Sequence, residues 1–342
     1  MYDTLIKDLK EYGSCSLSYL TLSKKLDIFN CNDSEGYFAY KEFFKSIVIL
    51  GDLIVPLNQL DNAIKEMTSS FSKNNNHIVF FLCTNRNVRL LMNNGFKVYY
   101  FGSEAVVDLE KFSISGNKNW KIRSSINYAK KNNMKVEEYK FNKKRDHTIE
   151  SEISRISEEW KQTKSEPELN FAFGRLNFNY LKDSRYFICK YNNDIVGFIT
   201  LYPIFGLHSY YLDLTRRVIN APRGVIDFLY VECFNLLKSQ GVKKVYIGFS
   251  PLSFLKNGLD INSSRYINFL KKMYPIFNIF YPAKSELFFK RKYATDWEPN
   301  YICFYPRMSI RSLFCLFHSI YEGGFAGLLF YKIKHNYKKI QV

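Results

Sequence analysis

The chain has 342 residues, 46% apolar and 18% aromatic, which is enough to bury a sizeable core and too apolar for a disordered protein. Its net charge of +17 favours polyanionic partners, either a nucleic acid or an anionic membrane surface. Seven cysteines without a Cys-x-x-Cys pair and five scattered histidines argue against a disulfide framework and a zinc cluster, so neither metal nor cofactor is expected.

The N-terminal "MYDTLIKDLKEYG" is charged throughout and does not read as a signal peptide. "YFAYKEFFKSIVILGDLIVPL" reads as a strand pair ending at Asp52 and Pro56. A helix is predicted over Asn58 to Phe71, followed by the strand "HIVFFLCT". From Gly116 to Arg145 there are ten Lys/Arg and two acidic residues; "NWKIRSSINYAKKNN" reads there as a basic helix and "MKVEEYKF" as a strand. "RYFICKYNNDIVGFITLYPI" is a hairpin turning at Asn192-Asn193. "HSYYLDLTRR" adds a strand, and "GVIDFLYVECFNLLKSQG" a helix. Val225, Phe228, Leu229, Phe234 and Leu237 form that helix's buried stripe, and Gly241 ends it. "KKVYIGFSPL" returns as a strand, and "ELFFKRKYA" is read as another, with Lys290 and Lys292 on one face.

No uncharged run reaches the ~20 residues that span a bilayer. Ser312 to Ile333 comes nearest, interrupted by Glu322, three glycines and Lys332 and followed by Lys334, Lys338 and Lys339. It reads equally well as an interfacial helix on anionic lipid and as a terminal helix packed on the core.

Hairpin, strand, helix, strand is the core of the Gcn5-related (GNAT) acyltransferase fold, and the same order recurs in both halves. The expectation is an α/β, mixed-sheet, tandem GNAT-like fold. Residues 1–140 form an N-terminal subdomain including the basic helix, 147–306 a C-terminal catalytic subdomain, and 307–342 a basic amphipathic tail. Coenzyme-A-dependent members carry a Gly-rich loop before the second helix. Here that loop is Arg217 to Gly224, with one glycine and Pro222, so a donor other than a coenzyme A thioester is expected.

"YLDLTRR…APRGVIDFLYVE…KKVYIGFSPLS" resembles the catalytic domain of bacterial aminoacyl-phosphatidylglycerol synthases, the phosphatidylglycerol lysyl- or alanyltransferases. The likeness extends to Phe101–Ala129, to Phe288–Pro306 and to "YGSCSLSYLTL". It implies an aminoacyltransferase taking lysine or alanine from aminoacyl-tRNA to phosphatidylglycerol. The enzyme would be cytoplasmic and peripheral on the inner face of the membrane. The alternatives are a non-lipid acceptor (a peptide, peptidoglycan precursor or metabolite) and a non-catalytic RNA- or membrane-binding protein.

On that resemblance Asp213 orients the aminoacyl amine or acts as base, and Arg216 meets a phosphate or the oxyanion. Strict strand alternation puts these two on opposite faces unless the strand ends or bulges between them. Lys292, with Lys290 beside it, is the expected oxyanion or tRNA-phosphate partner. Arg123 and Asn127 are expected to contact the acceptor stem or a lipid headgroup. Arg223 and Ser250 join the substrate-binding set with Asp227, for which a helix-terminal structural role is favoured. Glu166 and Glu168 are candidates for the amino group.

Overall fold

The computed structural model describes every residue except 1, 24, 74–75, 165–175, 177, 180, 254–282, 321–323, 325–326, 328–329 and 331–342. The chain is α/β, built on one mixed eleven-stranded sheet in the order β1-β2-β3-β4-β11-β5-β10-β9-β8-β7-β6.

In the first half, α1 (Tyr2–Tyr12) precedes β1 (Asp27–Asn30), β2 (Tyr37–Phe43) and β3 (Ser46–Leu50), an antiparallel run. After α2 (Leu60–Ser72) the chain returns as β4 (His77–Cys83), parallel to β3. Every residue of β3 and all but the first of β4 are buried, as strands covered on both faces require. Leu60, Ala63, Ile64 and Met67 form the helical stripe by which α2 covers them. Then come α3 (Asn85–Asn93) and β5 (Lys97–Asp108).

The second half repeats this plan. After α4 (Trp120–Lys131) come β6 (Lys135–Tyr139), α5 (His147–Gln162), β7 (Arg185–Tyr191), β8 (Asp194–Ile204) and β9 (Ser209–Arg217), the four strands antiparallel in turn. The hairpin turns at Asn192-Asn193, both left-handed, a conformation asparagine tolerates. Next come α6 (Val225–Ser239) and β10 (Lys244–Pro251), parallel to β9. Further along come α7 (Ala283–Lys290), β11 (Asp296–Tyr305) and α8 (Ile310–Ile320).

The halves exchange their closing strands. β5 pairs with β10, β11 pairs with β4, and β5 and β11 pair with each other at the centre of the sheet. Packing also joins part of the first 140 residues to the second half: β6 pairs with β7, and Ile122, Ile126 and Ala129 of α4 share a core with Val225, Phe228 and Leu229 of α6. The boundary expected near 140–147 therefore does not separate two cores. That sequence reading followed the basic composition, which reports the solvent face of α4, whereas its buried stripe decides where it packs.

"ELFFKRKYA" is a correction. Residues 283–290 are helical, and residues 291–293 turn before β11. Lys290 and Lys292 consequently do not share a strand face. Among the described residues no helix is long and apolar enough to cross a membrane.

Candidate active site

β9 and β10 run together only at Tyr210–Val245 and Tyr211–Tyr246 and then part. Beyond that point β9 bulges. Leu212 faces Leu201 and Thr215 faces Ile199, so Asp213 and Leu214 together oppose Thr200, whose Oγ1 accepts from the Leu214 N–H at 3.0 Å. The extra residue reverses the alternation. Asp213 and Arg216, three apart, thereby fall on one face with Tyr211, as convergence demanded.

Tyr211 marks the centre of the gap. Its hydroxyl is pushed well above its usual range by burial first, then by the negative charges of Asp213 (β9), Glu104 (β5) and Glu286 (α7), with Tyr230 of α6 adding last. Groups on four elements thus act electrostatically on one buried ring. Glu104 is itself buried, and its carboxyl is raised to about 8, chiefly by desolvation and then by Glu298 opposite it on β11. The Ser16 hydroxyl, donating at 2.8 Å, and the Lys290 ammonium act in the other direction. Lys290 is nearly buried, donating to the Phe249 carbonyl of β10 at 2.6 Å and to Glu286 at 3.3 Å. Nothing in the local pattern of β5 marks Glu104 as functional. Its identity as a buried acid in a buried strand is the one signal that could have found it.

Lys292 is placed differently. Its ammonium pairs with Asp227 at 2.6 Å, and Tyr293 donates to the same carboxylate. This pair lies on the α6 side of the sheet, one aromatic layer from the gap: Tyr293 packs on Tyr230, whose hydroxyl meets Thr215 at 2.9 Å. Lys290 thus sits in the acidic gap, while Lys292 holds Asp227 in the first turn of α6. Asp227 does not cap that helix through its side chain.

Arg216 is buried on the α5 side, donating to Ser157 and lying over the Trp160 ring at 5.2 Å. Ser250, also buried, has an Oγ with no hydrogen-bond partner among the described residues. Arg123 donates to the carbonyls of Ile114 at 2.7 Å and Gly116 at 2.5 Å, pinning the loop that enters α4. Asn127 is exposed on the outer side of α4 with Lys121, Lys130 and Lys131. Arg223 ties the 217–224 loop to α4 through Ser124 at 2.9 Å. Glu166 and Glu168 lie outside the described residues.

Gly224 explains the close approach of that loop. It is left-handed (φ +86°), and a Cβ there would stand 2.6 Å from the Ser125 carbonyl oxygen. Gly224→Ala is expected to cost about 2 kcal/mol or more, since left-handed backbone and a backbone clash add. Urea unfolding with an unchanged midpoint would show that α4 and α6 are not so tightly joined.

The family model for the C-terminal region of phosphatidylglycerol lysyltransferase matches residues 6–304. A phosphatidylglycerol lysyltransferase of Staphylococcus aureus (strain MRSA252) is 25% identical over 304 residues, 86% of this chain and 35% of the relative. The chain thus spans about a third of the length of the curated relatives it matches. The structure of L-PGS from Bacillus licheniformis superposes with a TM-score of 0.77 at 25% identity, covering 91% of this chain and 92% of that one. The C-terminal domain of a putative lysylphosphatidylglycerol synthetase from Agrobacterium fabrum gives 0.79 at 18% identity, covering 94% and 97%, and bears on the fold alone.

Proposed function

This chain belongs to the family of phosphatidylglycerol lysyltransferase C-terminal domains, and from that premise we propose that it moves an amino acid, lysine in the first instance, from aminoacyl-tRNA to phosphatidylglycerol. The observation that carries the reading is the gap where β9 and β10 part beside Tyr211, with the charges of Asp213, Glu104 and Glu286 acting on that buried ring and Lys290 donating to Glu286. Carboxyl groups gathered where the two strands part suit an amino acid bearing a second amine better than alanine.

The transfer exchanges one ester for another. The acceptor hydroxyl oxygen bonds to the aminoacyl carbonyl carbon, the bond from that carbon to the tRNA ribose oxygen breaks, and the acceptor's proton ends on the released ribose hydroxyl. Asp213 receives that proton in transit or holds the α-amine against the attacking group. The Lys290 ammonium stabilises the negative charge that develops on the carbonyl oxygen. Arg216, clamped by Ser157 and Trp160, positions the bulged end of β9. The exposed cations of α4, with Arg223 beside them, would take the tRNA backbone, a contact of position rather than sequence. Work on a membrane lipid would place the chain at the inner face of the cell membrane.

The test uses labelled lysyl-tRNA or alanyl-tRNA with phosphatidylglycerol in detergent micelles. Label from lysyl-tRNA is expected in the organic phase, at least tenfold above that from alanyl-tRNA, for which a mispaired polar subsite is reason enough (about 1.4 kcal/mol per decade). Label passing only into water-soluble product would move the acceptor away from lipid. A preference for alanyl-tRNA would remove the acidic gap as the amine site.

A further inference from the structure

We propose that the β2–β3 turn and the outer face of α8 form a docking surface for an anionic phospholipid bilayer. The choice of a bilayer as partner rests on the lipid-acceptor reading above.

The turn is the first observation. Phe43 pairs with Ser46, so only Phe44 and Lys45 connect the strands, and both are left-handed, at φ 43° and 57°. A two-residue turn of this kind draws asparagine, aspartate or glycine, as at Asn192-Asn193. A phenylalanine there strains the backbone, because its Cβ crowds the left-handed conformation. The strained residue is nonetheless 65% exposed, so its ring offsets little of that strain by burial.

The second observation is what lies next to it. Ile310, Phe314 and Phe317 recur at helical spacing on the outer face of α8 and are 90%, 48% and 43% exposed, while Cys315 and Leu316 on the opposite side enter the core. Phe44 reaches this face, its ring 5.8 Å from Phe314. Single exposed apolar side chains are ordinary; a contiguous group projecting from a strained turn and a helix is not.

Charge selects the occupant. Lys45, Arg307 and Arg311 are exposed around the apolar group, and Tyr305 to Ile320 holds no carboxylate. Apolar side chains rimmed by cations match an anionic interface, where each cation near the surface strengthens attachment. A second copy of a chain of net charge +17 would bring like charges together at the same patch.

The experiment is co-sedimentation of the full chain with phosphatidylglycerol-containing or pure phosphatidylcholine vesicles. Phe44→Asn relieves the turn, so its urea midpoint should hold or rise while partition onto anionic vesicles falls. Combined with Phe314→Ser the fall should be roughly tenfold or more. Variants that bind anionic vesicles like the parent would overturn the proposal, as would vesicle binding unchanged while a dimer of the parent becomes monomeric. Binding is read without catalysis, and transfer to micellar lipid is measured separately. A failed docking surface is therefore distinguishable from a failed lipid acceptor.

Discussion

Asp213→Asn should lower turnover by roughly 10²–10⁴-fold, the range for removing a positioned acid–base group. The substitution keeps size and hydrogen-bonding shape on the bulged strand, so folding stability should move by less than ~1 kcal/mol. The carboxylate's charge is what disappears, and that charge acts on the buried Tyr211 beside it. If Asp213 handles the acceptor proton, the acidic limb of the pH–rate profile should vanish with it. If it holds the amine instead, the loss should appear mainly in KM for aminoacyl-tRNA. Retention of more than a third of parental kcat/KM would remove Asp213 from the chemistry. The two lysines divide the reading further: Lys290→Met should lose activity on the scale of Asp213→Asn. Lys292→Met, which unpairs Asp227 on the α6 side, should act mainly on stability.

Glu104→Gln is expected to change how stability depends on pH. Burial raises this carboxyl from 4.5 to about 8, so between those values the folded chain holds a proton that the unfolded chain releases. The folded state binds more protons, and the parent therefore loses stability as pH rises through this window. Glutamine cannot titrate, yet its carbonyl still accepts from Ser16. The variant should match the parent near pH 5 and exceed it at pH 8.5 by up to a few kcal/mol. Urea unfolding at both values measures the difference. Parallel stability curves would show that Glu104 is solvated and that the gap is wetter than its packing implies.

The element order of both halves was legible because hairpins, helices and buried strands carry local patterns: "SIVIL" and "HIVFFLC" read as two-sided strands, and the α6 stripe as a buried helix face. The family likeness was legible for a similar reason, since the motifs around Asp213, Phe101 and Phe288 are contiguous. The helical state of 283–290 was not, because "ELFFK" has the aromatic content of a strand and its packing partner β10 lies about 40 residues away.

What the sequence determined by itself was a basic tandem α/β chain with an acid and cations near the end of one strand. Only the tertiary structure decided which cation meets which acid. Lys290 and Lys292 differ by two positions, but the end of α7 turns one toward Phe249 and Glu286 and the other toward Asp227. The bulge opposite Thr200 brought Asp213 and Arg216 to one face, and the exchange of β5 and β11 set Glu104 opposite Glu298 at the centre of the sheet. Each of these depends on pairing between residues far apart in the chain, and local periodicity holds no record of such pairing.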